Sequence, residues 1–197
     1  MTFMGRRAAL LAATLTATSG GALAAEPQTW TVDHDASRVG FVTERSGTPV
    51  EGEFSAFDAT IRFTRDAPDA SSVEVVIQVA SVDAGSPDRN QAITSSKLFH
   101  AEKYPQARYA ADSFSHKGGD RFVAHGELTM RGTTHPVDLP FELSTTREDG
   151  TIRARAEGSV TVERLRWGIG KGVWRNTGMV PNEVTIEIEL AATRPAE

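Results

Sequence analysis

The stretch Ile152–Arg164, IRARAEGSVTVER, alternates apolar and polar side chains without interruption. Alternation with a period of two is the pattern of a β-strand that buries one face. The residues of its apolar face are Ile152, Ala154, Ala156, Gly158, Val160 and Val162. Half of these residues are alanine or glycine, so this face leaves space beside it. The stretch therefore predicts one wall of a sheet with room on the inner side.

Other stretches show the same alternation and predict further strands. They are VEVVIQVAS (73–81), FVAHGELTMR (122–131), VDLPFELS (137–144) and VTIEIEL (184–190). Earlier in the chain, VGFVTER (39–45) and GEFSAFDATIRF (52–63) predict two more, the second bent around Ser55 and Ala56. In FVAHGELTMR the period places Arg131 on the outward, polar face. One apolar and one polar face on each strand is typical of an antiparallel sheet with one buried side.

Turn signals separate the predicted strands, at Gly118-Gly119, Arg131-Gly132 and Asp149-Gly150. Asp-Gly is a strong signal for a two-residue hairpin, because both central residues must adopt positive φ. About eight strands without helices to cover a second face predict an all-β barrel or sandwich. An antiparallel barrel of about eight strands either fills with side chains or encloses one small ligand.

One segment departs from the period of two and predicts a short helical insertion over about residues 87–103. Ser86 and Pro87 form a favourable N-cap and first-turn pair for a helix. The apolar residues Ile93, Leu98 and Phe99 would then pack over one end of the barrel. The segment ends at Tyr104-Pro105.

Arg164 continues the inward phase of Ile152–Val162, so its guanidinium should point into the barrel. A buried guanidinium needs a partner or water. One interpretation is a structural ion pair with Asp33, Asp83 or Glu183. The other is a rim cation that meets the polar or anionic head of a ligand whose tail fills the barrel. Arg45 shares this inward phase, and Arg89 in the helical insertion could approach the same end.

The remaining motifs favour neither catalysis nor metal binding. The stretch ERLRWGIGKGVW (163–174) lacks the Ser or Thr and the following helix that a phosphate-binding loop requires. The five histidines lack the spacing of a local metal pair, and no nucleophile-elbow motif occurs. The sequence therefore predicts no catalytic residue, no metal ligand and no cofactor.

The N-terminus has the pattern of a secretory signal peptide over residues 1–24. Arg6 and Arg7 precede a short apolar run, and Ala22 and Ala24 suit cleavage after position 24. The paired arginines leave both the general and the twin-arginine export routes open. Residues 25–197 then form a single periplasmic domain. The apolar run is too short to span a bilayer.

Composition narrows the range of partners. The chain has no cysteine and a formal net charge of -5, and the predicted cleavage removes two arginines. This acidity argues against nucleic acid or an anionic membrane surface as the main partner. An exposed sheet edge or a barrel seam would be the route to a homodimer.

Several motifs in order resemble the YceI-like family of exported, lipocalin-like polyisoprenoid-binding proteins. The most specific is GELTMRGTTHPV (126–137), which resembles the family pattern G-x-L-T-x-x-G-x-T-x-P-V. WTVDHDASRVGF, VEGEFSAFDATIRF, SSKLFHAEKYPQARY, VERLRWGIG and VPNEVTIEIEL are similar to other family segments. Together they cover nearly the whole chain from Trp30 to Leu190.

The resemblance implies a lipocalin-like antiparallel barrel whose hydrophobic channel holds an isoprenoid or another long-chain, fatty amphiphile without transforming it. A quinone or a polyprenyl phosphate would be such a ligand. The expected ligand-binding residues are Phe41, Arg45, Phe54, Arg89, Leu98, Phe99, Phe141, Arg164, Trp167 and Trp174.

The chain also departs from the family pattern. Arg89 and Arg164 match, but the family usually has histidine where this chain has Ala36, Arg45 and Ala92. The family also has aspartate where this chain has Asn90, and threonine where it has Ala84. Where this chain has Leu98 and Trp167, the family has phenylalanine. These departures imply a channel end that is less titratable and more cationic than in other members.

Two other functions compete with the carrier. A hydrolase or isomerase would need His, Asp or Ser side chains within mutual reach inside the cavity. A purely structural or partner-binding module would have a barrel filled by its own side chains. The volume of the interior separates the last possibility from the others.

Overall fold

The computed structural model describes residues 27–196, which form ten antiparallel strands and one α-helix. The predicted signal peptide lies outside these described residues. The strands are β1 Thr29–Arg45, β2 Thr48–Phe54, β3 Phe57–Arg62, β4 Ser72–Gln78, β5 Val82–Asp83, β6 Gln106–His116, β7 Arg121–Met130, β8 Thr133–Glu148, β9 Thr151–Glu163 and β10 Glu183–Pro195. The helix is α1 Pro87–Thr94. Within residues 27–196, no helix has the length and apolarity to cross a membrane.

Eight of the strands close into a barrel in the order β1-β3-β4-β6-β7-β8-β9-β10, and β10 pairs with β1. In this closing pair Val39 lies opposite Ile188 and Phe41 opposite Ile186. Only the first two residues of β1, Thr29 and Trp30, pair with β3, and its second half pairs with β2, which pairs in turn with the two-residue strand β5. The prediction of an all-β antiparallel barrel of eight strands is confirmed, with β2 and β5 as additions.

The predicted bend in GEFSAFDATIRF is a complete break between two strands. Ser55 and Ala56 separate β2 from β3; both strands pair with β1, but the other partner of β2 is β5, whereas that of β3 is β4. This break lets β1 change neighbours along its length. The hairpin prediction is also confirmed, because Asp149 and Gly150 adopt φ values of 48° and 73° between β8 and β9.

The helical insertion is shorter than the predicted range of about 87–103. Ser86 caps α1 by accepting a hydrogen bond from Arg89 N, and the helix ends at Thr94. Ser95 Oγ then donates to Ala92 O at 2.7 Å, so the hydroxyl takes a carbonyl of the last turn. The chain continues as turns, with His100 in the left-handed region.

The barrel has two different ends. We call the end that carries α1 and residues 164–182 the helix end, and residues 164–182, which join β9 to β10, the cap segment. Aromatic side chains close the opposite end: Phe63 lies edge-on to Phe114 and Phe122, with ring centroids 5.3 Å and 5.4 Å away. Trp30 Nε1 donates to Phe63 O at 2.9 Å. The far end is therefore plugged by its own side chains.

Tyr109 is a buried polar group in the wall of the barrel. Its hydroxyl lies 3.0 Å from Ala124 O and 3.1 Å from Val137 O, so it bridges β7 and β8 from the inside. Burial, with the Asp138 carboxylate as a smaller cause, raises the pKa of the Tyr109 phenol above its ordinary value. The neutral phenol is therefore the form that the fold requires.

This raised pKa predicts an alkaline loss of stability that Tyr109→Phe should reduce. Above about pH 10 the unfolded chain loses the phenol proton while the folded chain keeps it, so the folded state binds more protons and stability falls as pH rises. We expect the free energy of unfolding, measured in urea, to fall more steeply with pH for the wild type than for Tyr109→Phe. Equal slopes between about pH 9 and pH 12 would show that the phenol titrates normally.

Candidate ligand-binding site

A cavity of about 520 Å³ occupies the interior of the barrel. This volume lies within the range of roughly 300–1,000 Å³ that is typical of small-molecule sites. All eight barrel strands contribute lining residues, and nearly all of these are apolar. The inward residues Ala154, Ala156 and Gly158 of β9 are only half-buried because they face this space, not other side chains. The barrel is therefore not filled by its own core.

The charged side chains of the lining lie at the helix end. Four lining residues of the described chain are solvent-exposed, namely Glu44 and Arg45 at the end of β1 and Asp88 and Arg89 in α1. Trp174 of the cap segment lines the cavity beside them, and the Arg45 guanidinium lies 5.7 Å from its ring centroid. We call these five residues the mouth, because here the apolar cavity meets solvent.

Aromatic residues continue inward from the mouth. The ring centroids of Phe41 and Phe54 are 5.9 Å apart, and those of Phe54 and Phe99 are 6.2 Å apart. Leu98 is buried next to them, and Phe141 lines the wall towards the plugged end. The inner surface can therefore contact an apolar chain along the barrel.

Arg164 points inward as predicted, and its hydrogen-bond partners are backbone carbonyls, not the carboxylate of the predicted ion pair. Its side chain is 4% exposed and donates to three backbone carbonyls: Nη1 to Ile169 O at 2.7 Å, Nη2 to Val180 O at 2.8 Å and Nε to Pro181 O at 2.8 Å. The predicted pair with Asp33, Asp83 or Glu183 is absent from these described contacts. Burial lowers the pKa of the Arg164 guanidinium, which still stays protonated at neutral pH. Arg164 therefore holds the cap segment in place. Only the part of its side chain that does not contact these carbonyls lines the cavity.

Arg131 has a matching role that the sequence reasoning missed. The predicted outward position is wrong, since Arg131 is 8% exposed and lies at the β7–β8 turn with φ of 50°. Its guanidinium donates to Gly168 O in the cap segment and, at 2.9 Å, to Ser96 O in the insertion. The turn rotates the side chain off the strand period and over the helix end. The sequence signal that could have revealed this role is the position of Arg131 directly before the turn glycine Gly132.

Trp167 lies outside the cavity lining, unlike the other nine predicted ligand-binding residues. It is 2% exposed, and its Nε1 donates to Leu128 O at 2.9 Å. Its ring lies edge-on to His135 with centroids 4.9 Å apart. The indole therefore anchors the cap segment to β7.

The family departures fall into two groups in space. Arg45 and Ala92 line the cavity at the helix end, so the substitutions there change the mouth itself. Asn90 is structural, because its Oδ1 accepts a hydrogen bond of 2.8 Å from Ala84 N. Ala36 lies in the irregular part of β1, where its amide donates to Asp33 Oδ1.

Titratable groups with catalytic spacing occur on the outer wall. Ser115 Oγ lies 2.7 Å from His125 Nε2, and His125 Nδ1 lies 2.8 Å from Asp138 Oδ1. The three residues stand on β6, β7 and β8, outside the residues that line the cavity. In residues 27–196 no cluster of three or more His, Asp or Glu side chains is arranged to hold a metal ion.

Comparisons with known proteins agree with this geometry. The family model of the YceI-like domain matches residues 30–192. Protein YceI of Salmonella arizonae is 33% identical over 158 residues, which are 77% of this chain and 81% of that protein. A UPF0312 protein of Photorhabdus laumondii is 36% identical over 110 residues, which are 55% of this chain and 57% of that protein.

Two solved structures have the same fold. BcnA of Burkholderia cenocepacia is 29% identical, with a TM-score of 0.75 over 81% of this chain and 98% of that one. A polyisoprenoid-binding domain from Saccharophagus degradans, implicated in plant cell wall breakdown, is 16% identical with a TM-score of 0.65, covering 84% of this chain and 98% of that one. This second likeness concerns the fold alone. From the matched domain and its relatives, the chain is a member of the YceI family.

Proposed function

We propose that this protein is an exported carrier that holds the chain of an isoprenoid or another long-chain amphiphile inside the barrel and does not transform it. The observation that carries the proposal is the apolar cavity of about 520 Å³ with charged lining residues at one end only. An amphiphile has the same polarity: an apolar tail suits the interior, and a polar head suits the mouth.

The energetics favour a long apolar tail. Each buried methylene contributes roughly 0.8 kcal/mol, so about a dozen tail carbons offset the costs of ordering and association. The plugged far end sets a limit on how deep the tail can reach. A polar head cannot enter the apolar interior without losing its hydrogen bonds, so it stays at the mouth.

Arg45 and Arg89 are the cations available to a head group. Both are exposed at the mouth; Arg89 Nη1 uses one donor on Ala84 O at 3.1 Å. Arg164, in contrast, donates a hydrogen bond from each of its three side-chain nitrogens to a main-chain carbonyl. We therefore assign head-group recognition to Arg45 and Arg89. A polyprenyl phosphate or a quinone remains a suitable ligand class.

Export to the periplasm is part of the same proposal. Residues 1–24 have the charge and apolar pattern of a cleaved signal. A folded barrel that shields an apolar tail would let a lipid cross the aqueous space between membranes. A homodimer stays a prediction.

The first test is native mass spectrometry of detergent-free protein together with a blocked cavity. We expect co-purified lipid in the wild type. Ala156→Phe projects a ring into the cavity, and displacing even two methylenes costs about 1.6 kcal/mol, more than tenfold in affinity. Ser159→Phe, on the outer face of the same strand, is the matched control and should bind farnesol like the wild type. Equal farnesol binding by both variants, or a consistently empty wild type, would contradict the carrier.

The second test separates the three arginines with farnesyl phosphate and farnesol, which share one tail. Charge-assisted hydrogen bonds contribute about 1.5–3 kcal/mol, so Arg45→Ala or Arg89→Ala should weaken the phosphate at least about tenfold and leave farnesol nearly unchanged. Arg164→Ala should weaken both ligands alike and lower the melting temperature, because it releases the cap segment. Arg153→Ala on the outer wall is the control. A phosphate-selective loss in Arg164→Ala alone would reverse the assignment.

A hydrolase is the second candidate function, favoured by the arrangement of Ser115, His125 and Asp138. The order of the three groups is that of a serine nucleophile, its base and the carboxylate that orients the base. Because the group lies on the outer wall, its substrate would bind there and not in the cavity.

Covalent labelling tests this second candidate. If His125 activates Ser115, a fluorophosphonate should modify Ser115, and His125→Ala should slow the labelling at least about a hundredfold, since a general base contributes 10²–10⁴-fold. Ser113→Ala, a neighbouring exposed serine, should leave the rate unchanged. Mass spectrometry locates the adduct. An unlabelled Ser115, or labelling that persists in His125→Ala, would remove the hydrolase from consideration.

A further inference from the structure

The helix end carries a combination of apolar exposure and charge that the binding of a lipid inside the barrel does not explain. Val173 is 62% exposed and is the one large hydrophobic residue in that state within residues 27–196. It lies in a short 3₁₀ turn, Gly172–Arg175, directly before Trp174 of the mouth. An exposed aliphatic side chain beside a cavity opening is a candidate contact with another apolar phase.

The charge around Val173 is positive, although the whole chain has a formal charge of -5. The cap segment contains four basic residues and no acidic residue between Glu163 and Glu183. Arg164 is buried, but Arg166, Lys171 and Arg175 are exposed.

Cations of other segments reach the same end. Lys171 N donates to Lys97 O at 2.8 Å, which brings exposed Lys97 alongside, and Arg45 and Arg89 stand at the mouth. The acidic residues at the mouth are Glu44 and Asp88. Six exposed cations therefore lie at the helix end, together with the mouth carboxylates Glu44 and Asp88 and the exposed carboxylates Glu163 and Glu183 that flank the cap segment.

The cap segment is also held in place. Ser46 N donates to Met179 O at 2.8 Å, which ties the segment to the β1–β2 hairpin, and Lys171 N ties it to the insertion. Arg164 and Arg131 also hold the cap segment by donating hydrogen bonds to its main-chain carbonyls. Val173 and its neighbouring cations are thus presented together on a fixed surface.

We propose that the helix end docks on an anionic bilayer, with Val173 entering the interface and Arg166, Lys171 and Arg175 contacting lipid phosphates. Each such cation near the surface contributes about fivefold in binding, and the exposed apolar residue adds burial. The acidic remainder of the barrel is repelled, so docking presents the mouth to the bilayer. This inference rests on the proposed carrier function and adds the place where the lipid enters and leaves.

Co-sedimentation of the exported protein with vesicles tests the docking. We expect binding to vesicles of phosphatidylglycerol and phosphatidylethanolamine, weak binding to phosphatidylcholine alone, and a loss on raising salt from about 0.05 M to about 0.5 M. The double variant Lys171→Glu/Arg175→Glu should bind at least about twentyfold more weakly. Val173→Asp should also bind more weakly.

The matched control reverses two charges at the plugged end. Lys117→Glu/Arg121→Glu has the same net charge, and both residues are exposed at the β6–β7 turn. It should bind vesicles close to the wild type, and much more tightly than the cap-segment variant of equal net charge. Equal losses in both double variants, or no binding to anionic vesicles, would overturn the proposal.

Binding of farnesol in solution, without vesicles, keeps this failure distinct from failure of the carrier. Lys171→Glu/Arg175→Glu should bind farnesol like the wild type, because neither side chain lines the cavity. A protein that binds farnesol but no vesicle overturns the docking and leaves the carrier intact. A protein that docks at the helix end but binds neither farnesol nor co-purified lipid overturns the carrier alone.

Discussion

Closure of the barrel between β1 and β10 is the constraint on which the other features depend. The pairing of Val39 with Ile188 and Phe41 with Ile186 joins the last strand to the first, so neither β1 nor β10 is left as an open edge strand along this pair. Once the ring is closed, its diameter is fixed by strand number and tilt. The interior then has a set width that the small residues of β9 cannot fill, and a cavity results.

Closure leaves two ends that need different solutions. Edge-on packing of aromatic rings fills the plugged end. The helix end must connect β9 to β10 across an opening, and the cap segment presents bare carbonyls there. Arg131 and Arg164 donate hydrogen bonds to carbonyls of this segment. Because these carbonyls are their partners, the two guanidinium groups need no buried carboxylate. Arg45 and Arg89 remain free to face solvent at the mouth.

The fold was predictable because strand period and turn chemistry are local properties. The inward phase of β9 and the Asp149-Gly150 hairpin follow from neighbouring residues alone. The partners of Arg164 were not predictable, since its acceptors are main-chain carbonyls, which every residue carries. The outward position predicted for Arg131 was wrong for a related reason. A positive φ at the turn moves its side chain out of the alternation of the strand. The cavity residues were largely foreseeable from phase and family resemblance, whereas Trp167 is buried away from the cavity lining, where it donates to Leu128 O.

Net charge was an incomplete guide to partners for a geometric reason. The chain is acidic overall, yet the described exposed cations Arg166, Lys171 and Arg175 share one end with the mouth. Electrostatic forces at a surface act over about a Debye length of 8–10 Å, much less than the length of this barrel's longest strands. A partner at the helix end therefore senses the local charge and not the total. In the proposed docking, this uneven distribution would also orient the barrel, because the positively charged cap segment lies at the same end as the mouth of the cavity.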